Sequence, residues 1–395
     1  MLTTKILRSA VTLTSFCCLF ATGISQQPAT PAAQPAANPN ATLKSPEVQQ
    51  DGSVIFRIYA PKASAVTVTG DWIDRGAAPL KLTKDAQGVW SGKAGPLQPD
   101  IYSYSFDVDG VRTLDPKNTW LKPAINPPDM QFVVNGHGIG FLNDINVPHG
   151  EVHQVWYHSA SLERDRRMHI YTPPGYTGGT QRYSVLYLLH GGGDDDEAWT
   201  AVGRINFIMD NLIAIGQCKP MIVVMPNGFV RDKMGELPPQ ADRLVSAKNA
   251  PPLEKDLFGD IIPLVEKNYR VLPGSENRAI TGLAVGGGQA LWIATQHADQ
   301  FAYVGVFSSG LDLQRDPDFE TRNAEFLKNP DKVNAQIKHF WIVYGAVDIN
   351  PKAEKDLSAE LTKFGIKNEL KESPGGHTWI NWRRWLVDIL PQMFQ

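Results

Sequence analysis

Two runs of consecutive apolar residues constrain this chain more than any other feature: Tyr183-Ser184-Val185-Leu186-Tyr187-Leu188-Leu189 and Met221-Ile222-Val223-Val224-Met225. A strand with one face in water alternates apolar and polar side chains, so a strand apolar at nearly every position must be covered on both faces. Helical patterns lie between and after these runs, at Asn206 to Gly216 and at Asp256 to Tyr269, where Phe258, Ile261, Ile262 and Val265 recur at helical spacing. Strand and helix alternating over residues 150–395 predict one doubly wound α/β domain on a mostly parallel sheet.

The stretch before it has a different period. Over residues 43–135 short runs alternate apolar with polar residues, as in Val54-Ile55-Phe56-Arg57-Ile58-Tyr59, Val66-Thr67-Val68-Thr69 and Tyr102 to Val108, divided by turn signals such as Gln87-Gly88 and Asp109-Gly110. Such spacing predicts a small immunoglobulin-like β-sandwich. Residues 26–42 are mostly Pro, Ala, Gln and Asn, with almost nothing to bury, and read as a linker. Residues 1–25 run from a basic start through the apolar Ala10 to Phe20 into small residues, the order of a secretory signal peptide. The expected location is therefore secreted or periplasmic, with no membrane attachment after cleavage. Without that leader Cys218 is the only cysteine, so stability has to come from the core rather than from an internal disulfide.

Charge narrows the partners. With 38 basic and 41 acidic residues the formal net charge is -3, which provides no field to gather nucleic acid or an anionic membrane. Neither a metal nor a cofactor is expected: no His/Cys cluster has zinc spacing, and Gly286-Gly287-Gly288 lacks the Lys and Ser/Thr of a phosphate loop. Asp194-Asp195-Asp196-Glu197 reads as a solvated loop, and His149, His153 and His158 as surface or packing residues.

Chemistry concentrates in the second domain. The first apolar run ends in His190-Gly191-Gly192-Gly193, a glycine turn able to aim a backbone N–H at a developing oxyanion. Arg278 to Leu291 reads as strand, tight turn and helix start, with Gly282 and Gly286 two residues either side of Ala284. That is the spacing of a nucleophile elbow, Gly-x-Ser-x-Gly, with alanine at its centre. Asp348 then ends a late strand pattern, and His377 stands in a loop before the last helix, read as Trp382 to Met393. Glycine turn, elbow, then acid followed by histidine is the chain order of an α/β-hydrolase, so the expected fold of this domain is an α/β-hydrolase.

These segments, together with Pro220 to Gly228, Val265 to Arg270 and Pro374 to Trp379, resemble the esterase D superfamily, specifically the feruloyl and acetyl-xylan esterases of carbohydrate esterase family 1. Enterochelin esterases are a neighbouring branch. Gly70-Asp71-Trp72, Gly88-Val89-Trp90 and the run from Tyr102 to Asp115 resemble the early-set sandwich of glycogen-branching enzymes and their carbohydrate-binding relatives. In that sandwich Trp72 and Trp90 would either stack on sugar rings or anchor the core. The esterase resemblance implies His377 as general base, Asp348 as its orienting acid, and the amides of Val285 and of Gly192 or Gly193 as the oxyanion hole. Position 284 is where such esterases carry serine and position 285 where they usually carry methionine.

Alanine has no oxygen with which to attack a carbonyl. Losing the nucleophile of a serine-hydrolase triad costs roughly 10⁶ in turnover. Ser308 and Ser309 follow a separate strand pattern and read as structural. The expectation is a pseudo-esterase, inactive or severely impaired, that binds a small-molecule ester or acylated oligosaccharide. Two alternatives stay open: a working feruloyl, acetyl-xylan or enterochelin-type esterase using water activated by His377, and a structural or interaction protein.

Overall fold

The computed structural model describes residues 38–124, 127–230, 246–312 and 316–395, with side chains of 246–249 excepted. The segments read from the sequence as a signal peptide and most of a linker therefore lie outside the described residues. The N-terminal part is a sandwich of two antiparallel sheets, one of four strands and one of six. Its alternation is the cause of its burial. In the strand Val54–Tyr59 every second residue, Val54, Phe56 and Ile58, points into the core, where it meets Val66, Val68, Tyr104, Phe106 and Phe132 of the other sheet.

The C-terminal part holds an eight-stranded sheet. In chain order its strands are β1 (Glu151–Ser159), β2 (Arg164–Thr172), β3 (Ser184–Leu189), β4 (Met221–Pro226), β5 (Arg278–Leu283), β6 (Tyr303–Phe307), β7 (His339–Gly345) and β8 (Glu369–Ser373). The spatial order is β1-β2-β4-β3-β5-β6-β7-β8. β1, β2 and β4 are joined by antiparallel pairings, and all the rest are parallel. β3 and β4 are buried at every position. Successive residues feed opposite cores: Val185, Tyr187, Leu189, Ile222 and Val224 enter one, and Leu186, Leu188, Met221, Val223 and Met225 the other. Each such side chain taken out of water contributes about 1.5–3 kcal/mol, which is why the central strands can carry no polar alternation.

Helices fall close to the patterned segments, with shifted ends. Ile205–Ala214 occupies the first; the second is a helix reaching Asp256, a π turn Leu257–Ile261 and a helix Ile262–Asn268. The last helix begins at Trp379 rather than Trp382, and its α-helical part ends at Ile389. Trp379 is 3% exposed and packs edge-on against Trp199, so tertiary contact extends the helix toward the His377 loop.

The two parts are docked by buried chemistry. Arg383, on that last helix, ion-pairs with Asp100 of the sandwich at 2.7 Å and also donates to the carbonyls of Ile101 and Val202. Both side chains of the pair are 1% exposed. Ile380 packs into the sandwich core, and Ile101 and Val133 pack into the hydrolase core. No helix among the described residues is long and apolar enough to cross a membrane.

Candidate active site

β5 ends at Leu283 and the helix Val285–Gln296 begins two residues later, so the reversal falls on Ala284, at φ 51° and ψ −116°. A non-glycine residue held there stores on the order of 1–3 kcal/mol of strain. The flanking glycines answer a steric demand. A Cβ on Gly282 would lie 2.2 Å from the Gly286 carbonyl oxygen, and one on Gly286 would lie 2.4 Å from the His190 carbonyl oxygen. The Ala284 N–H donates to the Phe307 carbonyl at 2.8 Å, tying the bend to the end of β6. Ala284 itself is half-buried. The sharp bend is thus present, with a methyl group where the elbow places a hydroxyl.

The glycine turn after β3 faces this bend: a Cβ on Gly191 would lie 3.4 Å from the Ala284 Cβ. His190 holds the turn in place. Its Nε2 accepts the Gly228 N–H at 2.8 Å, which puts its proton on Nδ1, 2.9 Å from the Gly191 carbonyl oxygen. Burial depresses the His190 pKa and keeps the ring neutral. Gly193 lies at φ 92°, a backbone conformation that glycine adopts at no steric cost. Val285 is 8% exposed at the first position of the helix.

Asp348 follows β7 and His377 follows β8. His377 Nδ1 bonds Asp348 Oδ1 at 2.7 Å, which fixes the tautomer and leaves Nε2 directed away from the acid. Asp348 Oδ2 accepts from Ser308 Oγ at 2.6 Å, and Ser308 Oγ in turn accepts the Trp382 indole N–H at 2.8 Å. Burial pushes the Asp348 carboxyl up, but the bonds from His377 and Ser308 outweigh it and hold its pKa below the usual carboxylate value. The His377 ring stands edge-on to Trp382, with 4.9 Å between ring centroids.

A cavity of about 250 Å³ opens beside the imidazole, lined on this side by Gly192, Gly193, His377, Thr378, Trp379 and Trp382. Of the residues singled out in the sequence, His377, Gly192 and Gly193 share this cavity, Asp348 sits behind His377, and Ala284 and Val285 form the bend next to the glycine turn. Such an arrangement can accept a proton at His377, whose Nδ1 is tied to Asp348. The hydroxyl of Ser308 is committed to Asp348 and Trp382, as the structural reading of that serine requires.

Sequence patterns missed Ser308 as a partner of the acid, because the link depends on β6 and β7 lying side by side. The acidic run after the glycine turn also departs from expectation. Asp196 is 1% exposed and pairs with Arg167 at 2.7 Å and His169 at 2.9 Å, and Asp194 is 7% exposed. The solvated-loop reading of this run is corrected accordingly; β2 supplies the countercharge that the local sequence lacks. His149, His153 and His158 each pair with a nearby carboxylate and remain substantially exposed. In the sandwich, Trp72 stacks on Phe56, and Trp90 is buried with its indole N–H on the Ala60 carbonyl. Of the two readings open for these tryptophans, core anchoring is the one realised.

Comparison with known proteins agrees with this architecture. The chain is 32% identical over 365 residues to an endo-1,4-beta-xylanase/feruloyl esterase of Xylanibacter ruminicola, covering 89% of this chain and 46% of that protein. It is 28% identical over 166 residues to an esterase of Mycobacterium tuberculosis, covering 41% of this chain and 34% of that protein. The chain thus spans less than half the length of these relatives. Among solved structures, the enterobactin esterase of Shigella flexneri in the presence of enterobactin matches 90% of this chain and 97% of its own, at TM-score 0.66 and 17% identity. The ferulic acid esterase of Anaeromyces mucronatus in complex with ferulic acid matches 66% and 96%, at TM-score 0.54 and 21% identity. Residues 44–123 match carbohydrate-binding module 48, the isoamylase N-terminal domain. With residues 159–393 matching the Esterase family model and the sheet order, bend and acid–histidine pair in place, this chain belongs to the esterase family, on a carboxylic ester hydrolase scaffold preceded by a module-48 sandwich.

Proposed function

We propose that this protein is an exported pseudo-esterase of the feruloyl or acetyl-xylan type, which binds an acylated plant-polysaccharide fragment and turns it over slowly or not at all. One observation carries the reading: Ala284 occupies the strained bend while His377 and Asp348 remain paired at 2.7 Å beside an open cavity. Such a cavity speaks against a purely structural role, in which side chains would fill it. Binding without the serine has a parallel in a serine-to-alanine mutant of the feruloyl esterase module from Clostridium thermocellum, solved complexed with sinapinate. The xylanase/feruloyl esterase relative supports the substrate class. In this reading the sandwich spans residues 43–135 and the esterase domain 150–395, His377 is the base, Asp348 its orienting acid, and Val285 with Gly192 or Gly193 the oxyanion donors. The test is calorimetric titration with feruloylated and acetylated xylo-oligosaccharides. Saturable binding is expected, and none up to millimolar concentration would overturn the proposal.

The preserved His377–Asp348 pair favours a second reading, in which the imidazole activates water against a bound ester. Hydrolysis of methyl ferulate that is abolished by His377→Ala would select it over the first.

A further inference from the structure

The cavity beside His377 has a second wall, and the sandwich builds it. Asp71, Arg112, Lys122 and Asp129 line it from the sandwich. Arg112 and Asp129 form an ion pair with each other. Asp71 receives the Ser103 N–H on Oδ2 at 2.7 Å. A further polar wall member is Asp194, which follows Gly193 of the glycine turn directly. It is 7% exposed, and its carboxylate has no hydrogen-bond or ion-pair partner among the described residues.

A buried carboxylate without a donor is costly, and each native case calls for an explanation. Here the carboxylate opens onto the cavity that also holds the imidazole, so its donors come from whatever fills that cavity, and a ligand that displaces the water must supply them in its place. Burial raises the pKa of both Asp194 and Asp71, and Lys122 opposes the rise in each case, so its ammonium lies close enough to act on both carboxylates. Two acceptors and one donor of this kind suit neutral hydroxyl groups, which can donate to the carboxylates and accept from the ammonium. A cationic ligand would meet the repulsion of Lys122, and an anionic one that of the two aspartates.

We infer that the cavity between the two domains is a polyol subsite, in which Asp194 from the glycine turn and Lys122 from the sandwich bind the sugar hydroxyls of the ligand while its acyl group lies toward the Ala284 bend. This rests on the proposed reading for the identity of the acyl group alone. The sandwich would then recognise sugar through its charged edge at the domain junction, with Trp72 and Trp90 left in its core.

The probes are a feruloylated arabinoxylo-oligosaccharide, the same oligosaccharide without the acyl group, and methyl ferulate, which has no sugar. Binding is read by calorimetry and by the fluorescence of the lining residues Trp379 and Trp382. In Asp194→Ala and, independently, Lys122→Ala, affinity for both sugar-bearing probes should fall by about tenfold or more, as expected for hydrogen bonds to charged groups, with methyl ferulate unaffected. The variants lie in different domains, so a folding defect in one leaves the other informative. If methyl ferulate fails to bind but the bare oligosaccharide binds with this Asp194 and Lys122 dependence, the acyl-ligand reading fails and the subsite stands. If the oligosaccharide does not bind, or binds equally to all three proteins, the subsite is overturned.

Discussion

Ala284→Ser adds one oxygen at the sharp bend that faces the glycine turn. The backbone is already in the strained φ 51° conformation, and the half-buried methyl has Gly191 opposite it, where only a hydrogen stands in place of a side chain. Folding should therefore tolerate the hydroxyl with little change in melting temperature. The gain follows from the inverse experiment on a serine triad, where deleting the nucleophile lowers turnover by roughly 10⁶, equivalent to about 8 kcal/mol of barrier. Val285 stands where methionine is usual in the resembling esterases, so full recovery is not required; an increase of at least about 10³-fold over the unsubstituted chain is expected. The assay is initial-rate hydrolysis of p-nitrophenyl acetate and methyl ferulate. Ala284→Ser combined with His377→Ala serves as the control, and should return the rate to background. A folded Ala284→Ser protein no faster than the unsubstituted chain would refute the argument that position 284 alone separates this site from a working triad.

Three further outcomes follow from the ionisable groups. Burial raises the Asp194 pKa to about 7 from an ordinary 3.8, so its contribution to stability is full below the ordinary value and is lost as pH rises through about 7. Asp194→Asn should accordingly be more stable than the unsubstituted chain at pH 8, by on the order of 2–4 kcal/mol, with the gap closing toward pH 4 in thermal scans. Asp348 has the opposite sign: its depressed pKa contributes stability above the ordinary value of 3.8 that is lost as pH falls through the lower folded-state value. Asp348→Asn should be less stable than the unsubstituted chain at pH 7 by about 1–3 kcal/mol, a difference that urea melts should find shrinking below about pH 4. Arg383→Met leaves Asp100 buried with only Arg384 to compensate it; removing one partner of a buried pair costs about 3–5 kcal/mol, visible as a lower urea midpoint.

What the sequence made legible follows from how local the physical cause is. The apolar runs of β3 and β4 could be read because burial on both faces forbids alternation. The bend could be read because Gly282 and Gly286 each face a backbone oxygen at a distance that admits no Cβ. Non-local pairing was out of reach. Nothing near Asp196 in the chain indicates that Arg167 and His169 pair with it, and nothing near Asp348 points to Ser308. Trp72 and Trp90 stayed ambiguous for a related reason: an aromatic in an alternating strand looks the same whether its ring meets Phe56 or a sugar. The second wall of the cavity depends on how two domains dock, and the residues that set this, Asp100 and Arg383, are separated by most of the chain.

That docking bears on why so much of the site persists without its nucleophile. Strain at Ala284, the desolvated carboxylate of Asp194 and the buried ion pair at Arg383 each weigh against stability or contribute little to it on balance. A chain relieved of every functional demand gains by shedding such features: glycine at position 284 would release the strain, and asparagine at 194 would remove the buried charge. Asp194 lines the cavity, Ala284 faces the glycine turn that borders it, and Arg383 joins the two domains that wall it; keeping all three is what a retained binding role predicts. If Ala284→Gly and Asp194→Asn together raise the melting temperature while leaving affinity for a feruloylated oligosaccharide intact, these features serve no ligand, and the argument from retained strain fails.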